Sequence, residues 1–177
     1  AVAIMIVVGI AAWRGYEWYT AKRAAEAGAQ FEAAVTLAEQ GKQAEAEAAF
    51  AKVASDAPGG YRLLARFRAA ASLAATKPDD AVKAYDQLAA DNSLGQTWRD
   101  LAAVRAGMLL VDTAPFAEMQ KRLAPLSEPG RPYRHSAREL LALSAWKNSD
   151  VTAAKRYIDM IAGDAETPPG TRSRGDV

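Results

Sequence analysis

The stretch "QGKQAEAEAAFAKVASDAP", residues 40–58, decides the fold because it is one copy of a repeated pattern. It contains a small residue, an aromatic residue, a branched residue and a terminating proline at fixed spacing: Ala46, Phe50, Val53 and Pro58. The first three residue types return 35 residues later, in "KPDDAVKAYDQLAADN", as Ala81, Tyr85 and Leu88. Self-similarity at a period of roughly 20 to 50 residues is the signature of repeat architectures.

The residue types in this pattern have a packing reason. A small side chain at Ala46 or Ala81 lets two helices approach closely, and the aromatic ring at Phe50 or Tyr85 fills the gap to the next pair. Pro58 cannot continue a helix and ends it. The spacing matches the second helix of a tetratricopeptide repeat, which is a helix pair of roughly 34 residues.

Two further copies are weaker. Another shift of 35 residues reaches Phe116, Gln120 and Leu123, where neither the small nor the aromatic residue is kept. A fourth copy, in residues 147–164, places Ala154, Ile158 and Ile161 at the corresponding positions. Helix-forming residues dominate after residue 20, and no stretch alternates with period two. The sequence therefore predicts an all-α protein, with an α-solenoid of about four degenerate helix pairs over residues 21–177.

The first 13 residues, "AVAIMIVVGIAAW", carry no charge. As a helix they would span roughly 20 Å, and extension to Tyr19 gives roughly 28 Å, against a hydrocarbon core of about 30 Å. We expect residues 1–20 to be the exit end of a single transmembrane helix whose first turns precede residue 1. Its interfacial belt would consist of aromatic residues: Trp13, Tyr16, Trp18 and Tyr19.

Two other interpretations of this segment fit less well. A cleaved signal peptide would continue with small residues near its cleavage site, whereas "WRGYEWY" follows here. A buried core helix of a soluble protein would show a polar stripe, which residues 1–13 lack. Arg14, Lys22 and Arg23 favour a cytoplasmic location for this end of the helix, but the opposite flank is needed for a fair count.

Composition argues against several classes of function. The formal net charge is +1, so nucleic acid is not an expected partner. The absence of cysteine excludes disulfides, thiolate zinc sites and thiol catalysis. His135 is the only histidine, and without further donors or a nucleophile turn it is interpreted as a surface or interface residue in the first turn of a helix. The sequence predicts no catalytic residue, no metal site and no cofactor.

A binding groove is the better candidate for a functional site. In a tetratricopeptide superhelix the first helix of each pair lines the concave face, which would place six residues along one groove: Phe31, Val35, Arg66, Ala70, Leu101 and Arg105. Arg66 and Arg105 are the candidates for contact with an acidic peptide or a C-terminal carboxylate. The lysine and asparagine set of the known carboxylate clamp is not present in this register.

The order of these features resembles a known family. An apolar helix with an aromatic exit precedes an alanine-rich array that contains "WRDLAAVRAG", residues 98–107, and ends in "AETPPGTRSR", residues 165–174. This resembles the bacterial membrane-anchored tetratricopeptide-like proteins related to the ancillary subunit of the Sec translocon, over essentially the whole chain. The resemblance implies a single-pass protein of the inner membrane, with its helical domain in the periplasm.

Two functions follow as hypotheses. The first is a non-catalytic, membrane-anchored interaction module that assists protein translocation or recruits chaperones, with a membrane complex, other proteins and the lipid bilayer as partners. The alternative is an accessory structural subunit of another large membrane complex, respiratory or photosynthetic, which docks through the same helix.

Overall fold

The computed structural model describes residues 2–175, and these form helices joined by short loops. The helices are α1 (Val2–Glu39), α2 (Gln43–Asp56), α3 (Gly59–Leu73), α4 (Pro78–Ala90), α5 (Gln96–Leu110), α6 (Phe116–Leu123), α7 (Arg134–Lys147), α8 (Val151–Ala162) and α9 (Pro169–Gly175). A short 3₁₀ helix, Ala124–Leu126, follows α6. No strand occurs within residues 2–175, so the all-α prediction is confirmed.

The signature residues of the first two repeats are buried, as the repeat pattern predicts. In α2 and α4, the buried residues are the two sets of signature positions: Ala46, Phe50 and Val53, then Ala81, Tyr85 and Leu88. Each set lies on one face of its helix because its members are three or four residues apart. Pro58, which was predicted to end the second helix of the first repeat, lies two residues after the end of α2 at Asp56.

The third and fourth copies differ from the prediction. In α6 the buried residues are Met119 and Leu123, while Gln120 is only partly buried. In α8 the predicted Ala154 and Ile161 are buried, but the buried aromatic residue is Tyr157, and Ile158 is only partly buried. Ala153 and Tyr157 keep the small-to-aromatic spacing one residue earlier than expected. The larger ring of Tyr157 occupies the core position, and Ile158 packs against its edge.

The chain divides into two compact units, the first ending at Leu73 and the second beginning at Ala74. In the first unit, α2 packs against both α1 and α3. The ring of Phe31 lies 5.5 Å from that of Phe50 and 6.1 Å from that of Tyr61, centroid to centroid. A Cβ at Gly28 would come within 2.9 Å of the Tyr61 hydroxyl, so a larger residue there would displace the Tyr61 ring.

The second unit has the larger core. Its buried residues come from four helices and the 3₁₀ segment, and include Val104, Met119, Leu123, Leu126, Leu141 and Tyr157. α5 approaches α6 closely because Gly107 faces Leu123, whose Cδ1 would lie 2.9 Å from a Cβ at that position. The packing thus relies on a small residue where the helices cross, as the repeat pattern implies.

The N-terminal segment is part of one continuous helix, because α1 runs through residue 20 without a break. Within residues 2–175, no helix combines the length and the apolarity that crossing a membrane requires. The transmembrane span predicted for residues 1–20 is therefore not supported, since Arg14 and Glu17 follow closely on the apolar run. The first buried residue described in α1 is Ala27, so packing against the repeats begins after this segment.

Candidate interaction surfaces

The first candidate surface is the N-terminal part of α1, residues 2–20, which we name the apolar arm. Every residue of the arm is exposed. Its large exposed side chains are Val2, Ile4, Met5, Ile6, Val7, Val8, Ile10, Trp13, Tyr16, Trp18 and Tyr19. Folded monomers rarely expose contiguous apolar patches larger than a few hundred Å². The arm therefore marks a surface that another molecule or a lipid phase would cover.

Aromatic and cationic side chains meet at the base of the arm. The Lys22 ammonium lies 5.4 Å from the ring centroid of Trp18, and the Arg23 guanidinium lies 5.9 Å from that of Tyr19. Arg23 also donates to the backbone carbonyl of Asp56 at 3.3 Å, which ties the base of the arm to the end of α2. The four predicted belt residues are exposed along this segment. Their contact with a membrane interface stays a prediction.

The second candidate surface lies on α5 and α7, which are equivalent helices 38 residues apart. α5 buries Asp100, Ala102, Val104, Ala106 and Gly107. α7 buries the residues 38 positions later: Arg138, Leu140, Ala142, Ser144 and Ala145. Each is the first helix of its pair, and α5 contacts α7 directly. The same faces of the two helices therefore point toward the core.

The outward faces follow the same shift. On α5 the outward residues are Trp98, Leu101, Arg105 and Met108, and on α7 they are Ser136, Glu139, Leu143 and Trp146. We name these eight residues the α5–α7 face. Leu101 and Glu139 are partly buried and the other six are exposed. Large apolar side chains dominate this face. That Leu101 and Arg105 line a concave groove stays a prediction.

The two arginines predicted to contact a ligand lie in different units. Arg66 is half-buried on α3 of the first unit and already takes part in an interaction there. Arg105 is exposed on α5 of the second unit. Within residues 2–175, no carboxylate forms an ion pair with it. Its charge acts on Tyr85, where burial raises the pKa of the phenol and Arg105 partly offsets that effect. That the two arginines share one groove stays a prediction.

Three other residues predicted to line the groove pack in or against the core instead. Ala70 is buried, and the ring of Phe31 packs against Phe50 and Tyr61. Val35 is partly buried and packs against the cluster around Phe50. The predicted register is thus shifted toward the core in the first unit, because α1 and α3 both pack against α2 and also contact each other, which buries these positions.

A polar cluster that the sequence did not suggest lies at the start of α7. Arg138 is 3% exposed. Its Nε donates to the Ser127 carbonyl at 2.9 Å, and its Nη1 donates to the Met160 carbonyl at 3.1 Å and to Asp164 Oδ2 at 2.7 Å. Arg134 donates to Asp164 Oδ2 at 2.7 Å as well. These two guanidinium groups hold the pKa of the Asp164 carboxyl far below its usual range.

His135 belongs to this cluster. It lies in the first turn of α7, as predicted, but its side chain is largely buried. The Thr167 hydroxyl donates to the Ile161 carbonyl at 2.7 Å, which leaves its oxygen to accept from His135 Nδ1 at 3.1 Å. His135 therefore joins α7 to the segment before α9. In the described part of the chain, no group of three histidine, cysteine or acidic residues could hold a metal ion.

The surroundings of His135 predict a specific pH dependence. Burial, followed by the charge of Arg134, lowers its pKa in the folded protein, so the folded state favours the neutral ring. As the pH falls through the ordinary histidine pKa of about 6.5, the unfolded chain takes up a proton first and the unfolding free energy decreases. Urea denaturation of the wild type at a series of pH values from about 7 to about 5.5 should show this decrease in unfolding free energy.

His135→Gln removes the only histidine and should flatten this dependence. Glutamine keeps a polar atom near Thr167 and does not titrate. Equal slopes of unfolding free energy against pH in the two proteins would contradict the prediction.

Comparison with known proteins agrees with the repeat pattern. A sequence model of the tetratricopeptide repeat-like domain matches residues 1–140, which include the apolar arm, α1 to α6 and the first half of α7. No curated protein and no solved structure matches the chain. Tetratricopeptide-like domains are typically non-catalytic modules that bind other proteins. The chain belongs to the tetratricopeptide repeat-like domain family.

Proposed function

We propose that this protein is a non-catalytic interaction module that is held at a membrane by its apolar arm and binds other proteins through its helical repeats. The observation that carries the proposal is the contrast within α1. Residues 2–20 are exposed on every side, whereas the same helix packs against α2 further along. One part of α1 thus belongs to the scaffold, and the other part requires a different environment.

A lipid phase suits the arm better than a protein groove. A helix that docks in a groove needs one apolar face, whereas residues 2–13 carry no charged or strongly polar side chain on any face. Lipid covers a helix on all sides. Tryptophan and tyrosine at the end of the apolar run, followed by Lys22 and Arg23, are typical of the boundary between hydrocarbon and headgroups.

The more specific assignment rests on the resemblance to proteins related to the ancillary subunit of the Sec translocon. In this proposal the protein lies at a bacterial inner membrane, with the repeats in the periplasm and a translocon or chaperone as partner. The family match runs from residue 1 to residue 140 and so covers both the arm and most of the repeats of this chain. A structural subunit of a respiratory or photosynthetic complex would use the same two parts.

Co-purification of the intact, tagged chain in a mild detergent tests the proposal. The wild type should be recovered from the membrane fraction together with translocon or chaperone subunits. Replacement of Trp13 and Trp18 by alanine should reduce this recovery while helical content measured by circular dichroism stays the same, because both side chains are 65% exposed. Trp146→Ala is the matched control for membrane retention, since Trp146 is 66% exposed in the second unit.

The outcomes separate the alternatives. If the wild type were absent from the membrane fraction, the proposed role of the arm would be contradicted. Recovery with a stoichiometric pigment- or haem-containing complex would favour the structural-subunit alternative. Loss of helical content in the Trp13 and Trp18 variant would show that these residues belong to the core.

A further inference from the structure

We infer that a cavity formed by the start of α7, the end of α8 and the loops next to them binds a small organic molecule that carries a single carboxylate. The side chains of Arg134 and Arg138 would hold this carboxylate. The cavity has a volume of about 620 Å³, which is in the range of small-molecule sites. It shares no residue with the apolar arm or the α5–α7 face, so the inference goes beyond the proposed function.

Each of the two arginines has one guanidinium nitrogen left for a ligand. Arg138 is 3% exposed, and its Nε and Nη1 donate to two backbone carbonyls and to Asp164. Arg134 uses its Nε and Nη2 for Asp164 and Glu166. Neither Nη2 of Arg138 nor Nη1 of Arg134 has an acceptor among residues 2–175. Both side chains line the cavity, so a ligand bound there could supply the missing acceptor.

The two guanidinium groups meet at one oxygen atom. Arg134 Nε and Arg138 Nη1 each lie 2.7 Å from Asp164 Oδ2. The free nitrogens belong to the same two planar groups and therefore both lie close to that oxygen. Their support is fixed, because Arg138 is buried and joined to three acceptors. A guanidinium presents its N–H donors as a planar fork, and a carboxylate is an acceptor that fits this geometry.

Charge and exposure limit the ligand to one negative charge. The two arginines carry two positive charges, and Asp164, which is only 18% exposed and pairs with both, cancels one of them. Glu166 pairs with Arg134, but its side chain is 79% exposed, and ion pairs of exposed groups contribute little. A ligand carboxylate that displaced Glu166 would leave the site neutral, whereas a phosphate dianion would leave an unpaired negative charge. A monocarboxylate is therefore the ligand class that fits.

The rest of the cavity wall favours an apolar body on the ligand. Pro129, Met160 and Ala165 line the cavity together with the two arginines. Small-molecule sites are typically lined by apolar groups, with a few polar groups that fix the orientation of the ligand. Contact with these residues should make a carboxylate with an apolar body bind more tightly than a small inorganic anion.

The test uses para-fluorobenzoate, and its binding to the intact chain in lipid nanodiscs is measured by fluorine NMR, with empty nanodiscs as the reference. Two probes of similar size differ in charge: para-fluorobenzyl alcohol is neutral, and para-fluorophenyl phosphate is a dianion. The benzoate should bind at least about tenfold more tightly than the alcohol, because only the benzoate forms charge-assisted hydrogen bonds. It should also bind more tightly than the phosphate.

Variants assign the binding to the cavity. Arg134→Met should weaken benzoate binding by at least about tenfold. Glu166→Gln should strengthen it by about threefold, because the competing carboxylate is removed. Arg156→Met and Glu118→Gln are the matched controls, since they change an exposed arginine and an exposed acid elsewhere in the second unit. Both controls should leave the affinity unchanged.

Circular dichroism establishes that each variant keeps its helices. If Arg134→Met does not fold, Glu166→Gln decides the question alone, because it changes an exposed side chain. The inference would be overturned by equal binding of the benzoate and the alcohol, by tighter binding of the phosphate, or by no binding of the benzoate. An unchanged affinity in folded Arg134→Met, or an unchanged or weaker affinity in Glu166→Gln, would overturn it as well.

Discussion

Replacement of Phe50 by alanine is expected to lower the unfolding free energy of the first unit by about 3–5 kcal/mol. Phe50 is 2% exposed and packs against Phe31 and the small residues Ala34 and Ala46. Truncation of its ring leaves a cavity between α1 and α2 that small neighbours cannot fill. Domains have total stabilities of only about 5–15 kcal/mol, so the loss is a large fraction of the whole.

Urea denaturation followed by circular dichroism measures the change, and hydrogen exchange by mass spectrometry assigns it to the first unit. Tyr16→Ala is the matched control because it truncates an aromatic ring that is 66% exposed. Its unfolding free energy should stay within about 0.5 kcal/mol of the wild type. A loss below about 1 kcal/mol for Phe50→Ala, or equal losses in the two variants, would contradict the repeat packing.

Replacement of Arg138 by methionine should destabilise the second unit by about 3–5 kcal/mol, the usual cost of removing one partner of a buried ion pair. Methionine is similar in length but donates no hydrogen bond. The carbonyls of Ser127 and Met160 would lose this donor, and Asp164 would keep the guanidinium of Arg134 and the backbone N–H of Glu166. The 3₁₀ segment, α7 and the end of α8 are joined by these bonds.

Two further variants make this measurement specific. Arg156→Met removes an exposed arginine of α8 that lies 4.7 Å from the ring of Tyr157, and should cost no more than about 1 kcal/mol. Arg138→Lys keeps the charge but lacks the planar guanidinium group. Its loss of unfolding free energy should therefore be smaller than that of Arg138→Met but larger than that of Arg156→Met. Equal stabilities of Arg138→Met and Arg156→Met would show that the cluster does not hold these elements together.

The sequence predicted the helices of the first two repeats because their signature residues are set by packing. Phe50 and Tyr85 can be recognised as equivalent across 35 residues, as can Ala46 and Ala81, since each residue type suits a defined space between helices. The later repeats were harder to align. α5 and α7 are 38 residues apart, so a comparison at a constant shift of 35 misses their equivalence, and connector length is not constrained by core packing.

The outward residues of α5 could have been grouped from the sequence, since Trp98, Leu101, Arg105 and Met108 lie at helical spacing. The cluster around Arg138 could not. Asp164 lies 26 residues from Arg138 in the chain, and a buried arginine has no hydropathy signal that separates it from an exposed one. The fold brings the two together only because α7 and α8 form an antiparallel pair.

The central claim is that the apolar arm enters lipid while the repeats stay outside it, and tryptophan quenching tests this directly. Three variants each keep one tryptophan, at position 13, 18 or 146, with the others replaced by phenylalanine, and are reconstituted in vesicles that contain brominated lipid. Because bromine quenches only nearby indoles, the fluorescence of Trp13 and Trp18 should fall strongly, and that of Trp146 should stay close to its value in unbrominated vesicles. Equal quenching at all three positions, or none at Trp13 and Trp18, would contradict the account.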